Sequence, residues 1–160
     1  MYLRRTAALA VTVSALALIP MTPAGARPAF GGLTTFDRQL IADLNSTRLE
    51  RGIQALDISD GLTPIATKWA QHIAAAQNAS DNPHLRSALN AACPTWRKVG
   101  ENVGIGTSAD DLFDDYMRNP GERRTMLSTK FTSVGVHSVA THDASGLEEW
   151  NVIDFASHCA

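Results

Sequence analysis

The sequence predicts an α+β domain, and three observations point there. Leu62, Ile65, Ala66, Trp69, Ala70, Ile73 and Ala74 recur at i, i+3, i+4 and i+7. That is the mark of an amphipathic helix with a broad buried face. Past Phe131 the period becomes two. Val134, Val136, Ser138 and Ala140 alternate with Gly135, His137 and Val139, and Leu147 to Phe155 supply a return strand, which together predict a β-hairpin. Gly104-Ile105-Gly106-Thr107-Ser108-Ala109 matches a loose G-x-G-x-x-A pattern, but no βαβ unit surrounds it. A dinucleotide loop needs that unit. The two glycines are therefore read as part of a connecting loop.

Thr34 or Thr35 caps a first helix in which Phe36, Leu40, Ile41 and Leu44 recur at helical spacing, and Gly52 supplies its stop. Asn45 and Arg48 fall one turn apart on it. Either they hydrogen-bond into the core or they face water, and spacing alone favours water. Ala55 to Ile58 is a short extended segment leading to the turn Ser59-Asp60-Gly61. In the second helix Pro64 is tolerated because it lies in the first turn, and His72 falls on the polar side. Residues 78–83 form a loop that delivers His84, with Pro83 stiffening the approach. That stiffness suits a side chain that must be aimed, and a plain surface histidine is the competing reading. Residues 85–92 suit a short helix. Asp110 to Arg118 reads as another, with Leu112, Phe113, Tyr116 and Met117 inward and Asp110, Asp111, Asp114 and Asp115 on a solvated face. Asn119-Pro120-Gly121 breaks it, and Glu122 to Leu127 restarts a short helix. Thr141 to Gly146 is the predicted hairpin turn. His137, His142 and His158 are read as structural or solvated.

The N-terminus carries an export pattern. Arg4-Arg5 precede an apolar run from Ala7 to Ile19, and Ala24-Gly25-Ala26 suits cleavage before Arg27. The apolar run is too short to span a membrane comfortably. The reading is residues 1–26 as signal peptide, 27–33 as a flexible lead-in, and 34–160 as one domain secreted to the extracellular side. Removing Arg4 and Arg5 leaves 12 basic residues against 16 acids, a net charge of −4. Such a charge argues against nucleic acid and anionic membrane surfaces as main partners. Cys93 and Cys159 are the sole cysteines. In an exported chain they are expected to pair, closing a long loop worth about 4 kcal/mol in the chain-entropy description. The alternative is two free buried thiols.

One stretch stands out chemically. Val99-Gly100-Glu101-Asn102-Val103 places a carboxylate beside a carboxamide in apolar surroundings. Burying Glu101 costs several kcal/mol unless a proton, a metal or hydrogen-bond donors compensate. A carboxylate that merely holds backbone amides is the plainer reading.

The order Asn45-x-x-Arg48, Gly52, Leu56, Leu62-x-x-x-Ala66, Trp69, His84, Cys93, Trp96, Val99-Gly100-Glu101-Asn102-Val103, Asn119-Pro120-Gly121, Met126-Leu127 and Phe131-Thr132-x-Val134-Gly135-Val136 resembles the CAP superfamily. That superfamily comprises the cysteine-rich secretory proteins, antigen 5 and the plant pathogenesis-related proteins. The resemblance covers nearly all of residues 34–156 and is closest in form to short, secreted bacterial members. It implies an α-β-α sandwich with a small antiparallel sheet between helical layers. It also implies a cleft where two histidines and two glutamates meet, which in several members binds a divalent metal such as zinc. His84 matches the first histidine and Glu101 the Gly-Glu-Asn glutamate. Many bacterial members read Ser-Pro-Gly-His where this chain reads Asn119-Pro120-Gly121-Glu122. Glu122 thus replaces the second histidine, and Asn119 stands where a serine or the second glutamate is usual. Carboxylates suit magnesium, calcium or manganese better than imidazole does. A set of His84, Glu101 and Glu122 is expected to hold zinc or a harder cation weakly.

The resemblance implies a secreted, non-enzymatic binding module for a lipid, a sterol or an extracellular protein, acting as a monomer with a degenerate His/Glu cleft. The alternative is an extracellular hydrolase, metal-dependent or using His84 and Glu101. A general base needs a nucleophile or a metal-bound water within reach. No Gly-x-Ser-x-Gly elbow is present, and neither Ser108 nor Ser128 stands out as a nucleophile.

Overall fold

The computed structural model describes residues 32–143 and 146–159. The predicted export segment and most of the lead-in lie outside the described residues. In chain order the elements are α1 (Thr35–Glu50), β1 (Asp57–Ile58), α2 (Thr63–Ala76), α3 (Leu85–Ala92), β2 (Val99–Gly106), α4 (Ala109–Arg118), α5 (Pro120–Met126), β3 (Ser133–Asp143) and β4 (Gly146–Ala156).

The four strands form one sheet in the order β1-β3-β4-β2. β3 and β4 make the predicted hairpin, and β2 pairs antiparallel with β4 along its full length. The expected antiparallel sheet is in fact mixed, because β1 runs parallel to β3. A two-residue strand reached by a helical crossover can dock this way without a hairpin turn. The hairpin strands also run further than the sequence predicts, β3 to Asp143 and β4 from Gly146. Helices cover both faces, so the expected three-layer sandwich is present. α2 and α3 pack on one face, where Leu62, Ile65, Leu85 and Leu89 meet Ala156 and the half-cystines. Further along, Ala66, Ala70 and Ile73 pack on Trp150 and Val152. α4 and α5 lie against β2 from the other side, with α1 against α4 and β3. No helix among the described residues is long and apolar enough to cross a membrane.

Local chemistry explains the boundaries. Thr34 caps α1: its hydroxyl accepts from the Asp37 amide, and the Asp37 carboxylate accepts from the Thr34 amide. That reciprocal box satisfies two of the orphan donors at a helix start. Ser108 caps α4 and Asn119 caps α5, their side chains accepting from the Asp111 and Gly121 amides respectively. Cys93 and Cys159 are bridged, with both sulfurs buried where the end of α3 meets the chain after β4.

Two sequence expectations are corrected here. Arg48 does not face water: it is fully buried. Its Nε donates to the Gln54 carbonyl at 2.9 Å, and its two Nη atoms donate to the carbonyls of Met126 (2.6 Å), Ser128 (3.1 Å) and Phe131 (3.3 Å). Asn45, one turn before it, exchanges two hydrogen bonds with the backbone of Leu56. Together they tie α1 to the segment that enters β1 and to the turn that enters β3. Gly104 and Gly106, read as loop, lie inside β2. A Cβ on Gly104 would come within 2.8 Å of Leu112 and the Tyr116 hydroxyl, so glycine here lets α4 lie close against the strand.

Candidate functional site

Side chains alternate along β2, so Glu101 and Asn102 face opposite layers. Glu101 stands in register with Asp154 of β4, and Asp154 with Gly135 of β3. The three share one row on the α2 side of the sheet. A methyl group at Gly135 would collide with Leu62 and Thr63, so the start of α2 closes that end of the row. Asp154 is fully buried there, and Glu101 is half-buried.

Two carboxyl groups directly opposite each other repel when both are ionised. Glu101 Oε1 accepts from the Asn82 amide at 2.6 Å. Glu101 Oε2 and both Asp154 oxygens are buried, and no other residue donates to them. Burial raises the pKa of both groups. For Asp154 the adjacent Glu101 charge and hydrogen bond raise it further, well above the carboxylate range. For Glu101 the bonds from Asn82 and Asp154 pull back down, and the charge of Asp81 pushes up. The consistent arrangement is one proton held by Asp154 and donated to Glu101.

Asn82 joins this pair to His84. Its amide serves Glu101, and its Oδ1 accepts from the His84 amide at 2.9 Å. His84 is exposed and stands at the first position before α3, where its carbonyl accepts from Ser87 Oγ. Asn102 lies buried on the far side of the sheet, donating through Nδ2 to the backbone carbonyl of Glu122 at 3.3 Å. Glu122 is half-buried in the first turn of α5. Burial raises its pKa, as do the charges of Asp115 and Asp81. Asn119 is occupied as a cap, its Oδ1 accepting from the Gly121 amide.

The sequence-predicted cleft residues are thus only partly brought together. His84 and Glu101 are linked through Asn82, whereas Asn119 serves α5 and Glu122 meets β2 through its backbone. Among the described residues no group of three or more His, Cys, Asp or Glu is placed to hold a metal ion. His84, Glu101 and Glu122 do not form such a group. Asn82 and Asp154 were not singled out by sequence. Asp154 had one available signal, an acid at a position of β4 where neighbouring Ile153 and Phe155 predict burial.

Two concavities meet at Asn82. The larger, about 750 Å³, runs between α2 and α3 and takes in His84. The smaller, about 250 Å³, lies under Asp81 and Pro83 and takes in Glu101. In the larger one, Ile65 and Trp69 face Ala88, Ala91 and Ala92. α2 and α3 run in opposite senses along it: a Cβ on Gly61 would lie 3.5 Å from the Ala92 carbonyl, while the Trp69 indole donates to the Ser80 carbonyl at 2.7 Å. Asp60 therefore marks one end, and Lys68, His72 and His84 mark the other. The Trp69 ring stacks on His72 at 4.5 Å between centroids.

Solved structures share this fold. The chain is similar to an outer surface protein from Borrelia burgdorferi, with a TM-score of 0.65, 12% identity, and coverage of 77% of this chain and 92% of that one. It is similar to a cysteine-rich secretory protein from Staphylococcus aureus, with a TM-score of 0.64, 20% identity, and coverage of 83% and 42%. An extracellular protein containing an SCP domain from Bacillus anthracis gives a TM-score of 0.63, 18% identity, and coverage of 79% and 45%. The chain spans less than half the length of the latter two. No curated protein matches it significantly in sequence. The family model of the cysteine-rich secretory protein family, CAP, matches residues 41–155. With that match across most of its length, and with the three-layer fold around the Gly-Glu-Asn strand, the chain belongs to the cysteine-rich secretory protein (CAP) family.

Proposed function

We propose that this is an exported, non-enzymatic binding module whose ligand lies in the groove between α2 and α3. The observation that carries the reading is the make-up of the groove. Its walls are largely alanine, isoleucine, proline and one tryptophan, with Asp60 toward one end and Lys68, His72 and His84 toward the other. A volume near 750 Å³ falls among small-molecule sites, which run from about 300 to 1,000 Å³. Lys68, His72 and His84 at one end suit an anionic head, so a fatty-acid carboxylate with its chain along the alanines fits better than an uncharged sterol. The export pattern and the disulfide support an extracellular setting. A hydrolase using His84 and Glu101 is less well supported. No hydrogen bond joins the two side chains among the described residues, and they open on different concavities.

The test is a titration with a medium-chain fatty acid followed by tryptophan fluorescence, in the parent and in Ala91→Trp, which fills the groove from an exposed helical position. Saturable binding that weakens about tenfold or more in the variant, a loss of roughly 1.4 kcal/mol, is expected. Replacing the acid by its alcohol should weaken binding in the parent as well. Absence of saturable binding, or binding indifferent to the substitution, would remove the groove from consideration.

A further inference from the structure

Charge is unevenly spread over this domain. The aspartates of α4 sit on its exposed side. The concavity between α5 and the turn leading to β3 has the opposite sign: Arg123, Arg124 and Lys130 line it with Ser128 and Thr129, and no acid does. In a chain whose acids outnumber its bases, three cations around one hollow of about 630 Å³ is a concentration that calls for a cause.

The ordinary cause would be the end of α5, since basic side chains complement the negative end of a helix dipole. That end is already served. The Arg123, Thr125 and Met126 carbonyls accept from the Leu127 amide, the Ser128 amide and Arg48 respectively. Arg123 is held by its Nη1, which donates to the Met117 carbonyl at 2.9 Å. The side chains of Arg124 and Lys130 have no hydrogen-bond or ion-pair partner among the described residues. The turn itself is braced, with the Lys130 amide donating to Ser128 Oγ at 3.3 Å.

We propose that this hollow binds the phosphate group of a phosphate ester. The free Arg124 guanidinium fork matches phosphate oxygens in pairs, Arg123 adds the donors that Met117 does not take, a lysine adds a mobile point charge, and two hydroxyls supply neutral donors. The site shares no lining residue with the α2–α3 groove, so it stands or falls independently of the function proposed above. A soluble ester and a lipid headgroup both carry such a phosphate, and one experiment separates the two.

Inorganic phosphate is titrated into the protein while amide NMR shifts are followed, with chloride at matched ionic strength as control. Saturable shifts at Ser128, Thr129 and Lys130 with phosphate and not with chloride are expected. Arg124→Gln combined with Lys130→Gln should weaken that binding about tenfold or more without altering the melting temperature. Both side chains are exposed and unpartnered, so the fold does not depend on them. Equal responses to chloride and phosphate, or no saturation, would overturn the proposal. Vesicles of phosphatidic acid, set against phosphatidylcholine, give the source. Sedimentation with the former alone, lost in the double variant, assigns a lipid headgroup. Phosphate saturation without vesicle binding assigns a soluble ester.

Discussion

Arg48 and Asp154 are both fully withdrawn from water, and the chain provides for them in opposite ways. Arg48 has no acid beside it, yet four backbone carbonyls take its donors. Asp154 lies beside a second carboxyl group, and no other residue donates to either of its oxygens. Burial lowers the Arg48 pKa, but a guanidinium keeps its charge at any physiological pH. A carboxyl pair has another way out, because it can keep a proton. The guanidinium is a fixed clamp joining α1 to the two turns it reaches. The pair's charge, and with it the hold on Asn82, depends on pH.

The largest effect should come from the clamp. Arg48→Met leaves four carbonyls without their donor and should cost about 3–5 kcal/mol, read from chemical denaturation. A loss under about 1 kcal/mol would mean that water replaces the guanidinium and that the clamp is not structural.

The carboxyl pair should give a smaller effect that depends on pH. Both pKa values are raised, so the folded chain holds protons that the unfolded chain releases. Stability is therefore full below the ordinary carboxylate range and falls as pH rises from there through the raised folded values. Glu122 and Glu149, also raised by burial, act with the same sign. Asp154→Asn keeps a donor for Glu101 and removes the charge. It should match the parent below the ordinary carboxylate range and exceed it by about 1–3 kcal/mol above neutrality. A parent and variant whose stabilities fall in parallel with pH would show that this pair is not the source of the slope.

The smallest effect belongs to the link between the pair and His84. Asn82→Ala removes the oxygen that holds the His84 amide and should cost about 0.5–1.5 kcal/mol. It should leave the pH slope alone, because the bond to Glu101 uses the backbone N–H. Hydrogen exchange at the His84 amide should accelerate, and unchanged exchange would show that Oδ1 does not fasten it.

Much of the fold is legible from residues taken one element at a time. The α2 stripe, the period-two tail, the cap at Thr34 and the cysteine pair are all visible to local rules. The site is less so. Glu101 can be named from its apolar surroundings and His84 from the loop that delivers it, but their connection runs through Asn82, and a backbone amide leaves no trace in residue type. Asn45 and Arg48 were assigned to water because helical spacing says which face a residue is on, not which neighbours have carbonyls to offer it. Gly104 and Gly106 looked like a loop because the closeness of Tyr116 and Leu112 belongs to another element.

What the sequence by itself determined is the helices, the β-hairpin, the hydrophobic faces they bury and the cysteine pair. Each follows from periodicity and composition within a window of a few residues. The tertiary structure alone decided that Glu101 meets Asp154 and that Arg48 finds four carbonyls. Those outcomes depend on strand register and helix docking, which bring together residues as many as 83 apart in the chain. Their energies come from desolvation and pairing at the meeting point, quantities that no single segment carries.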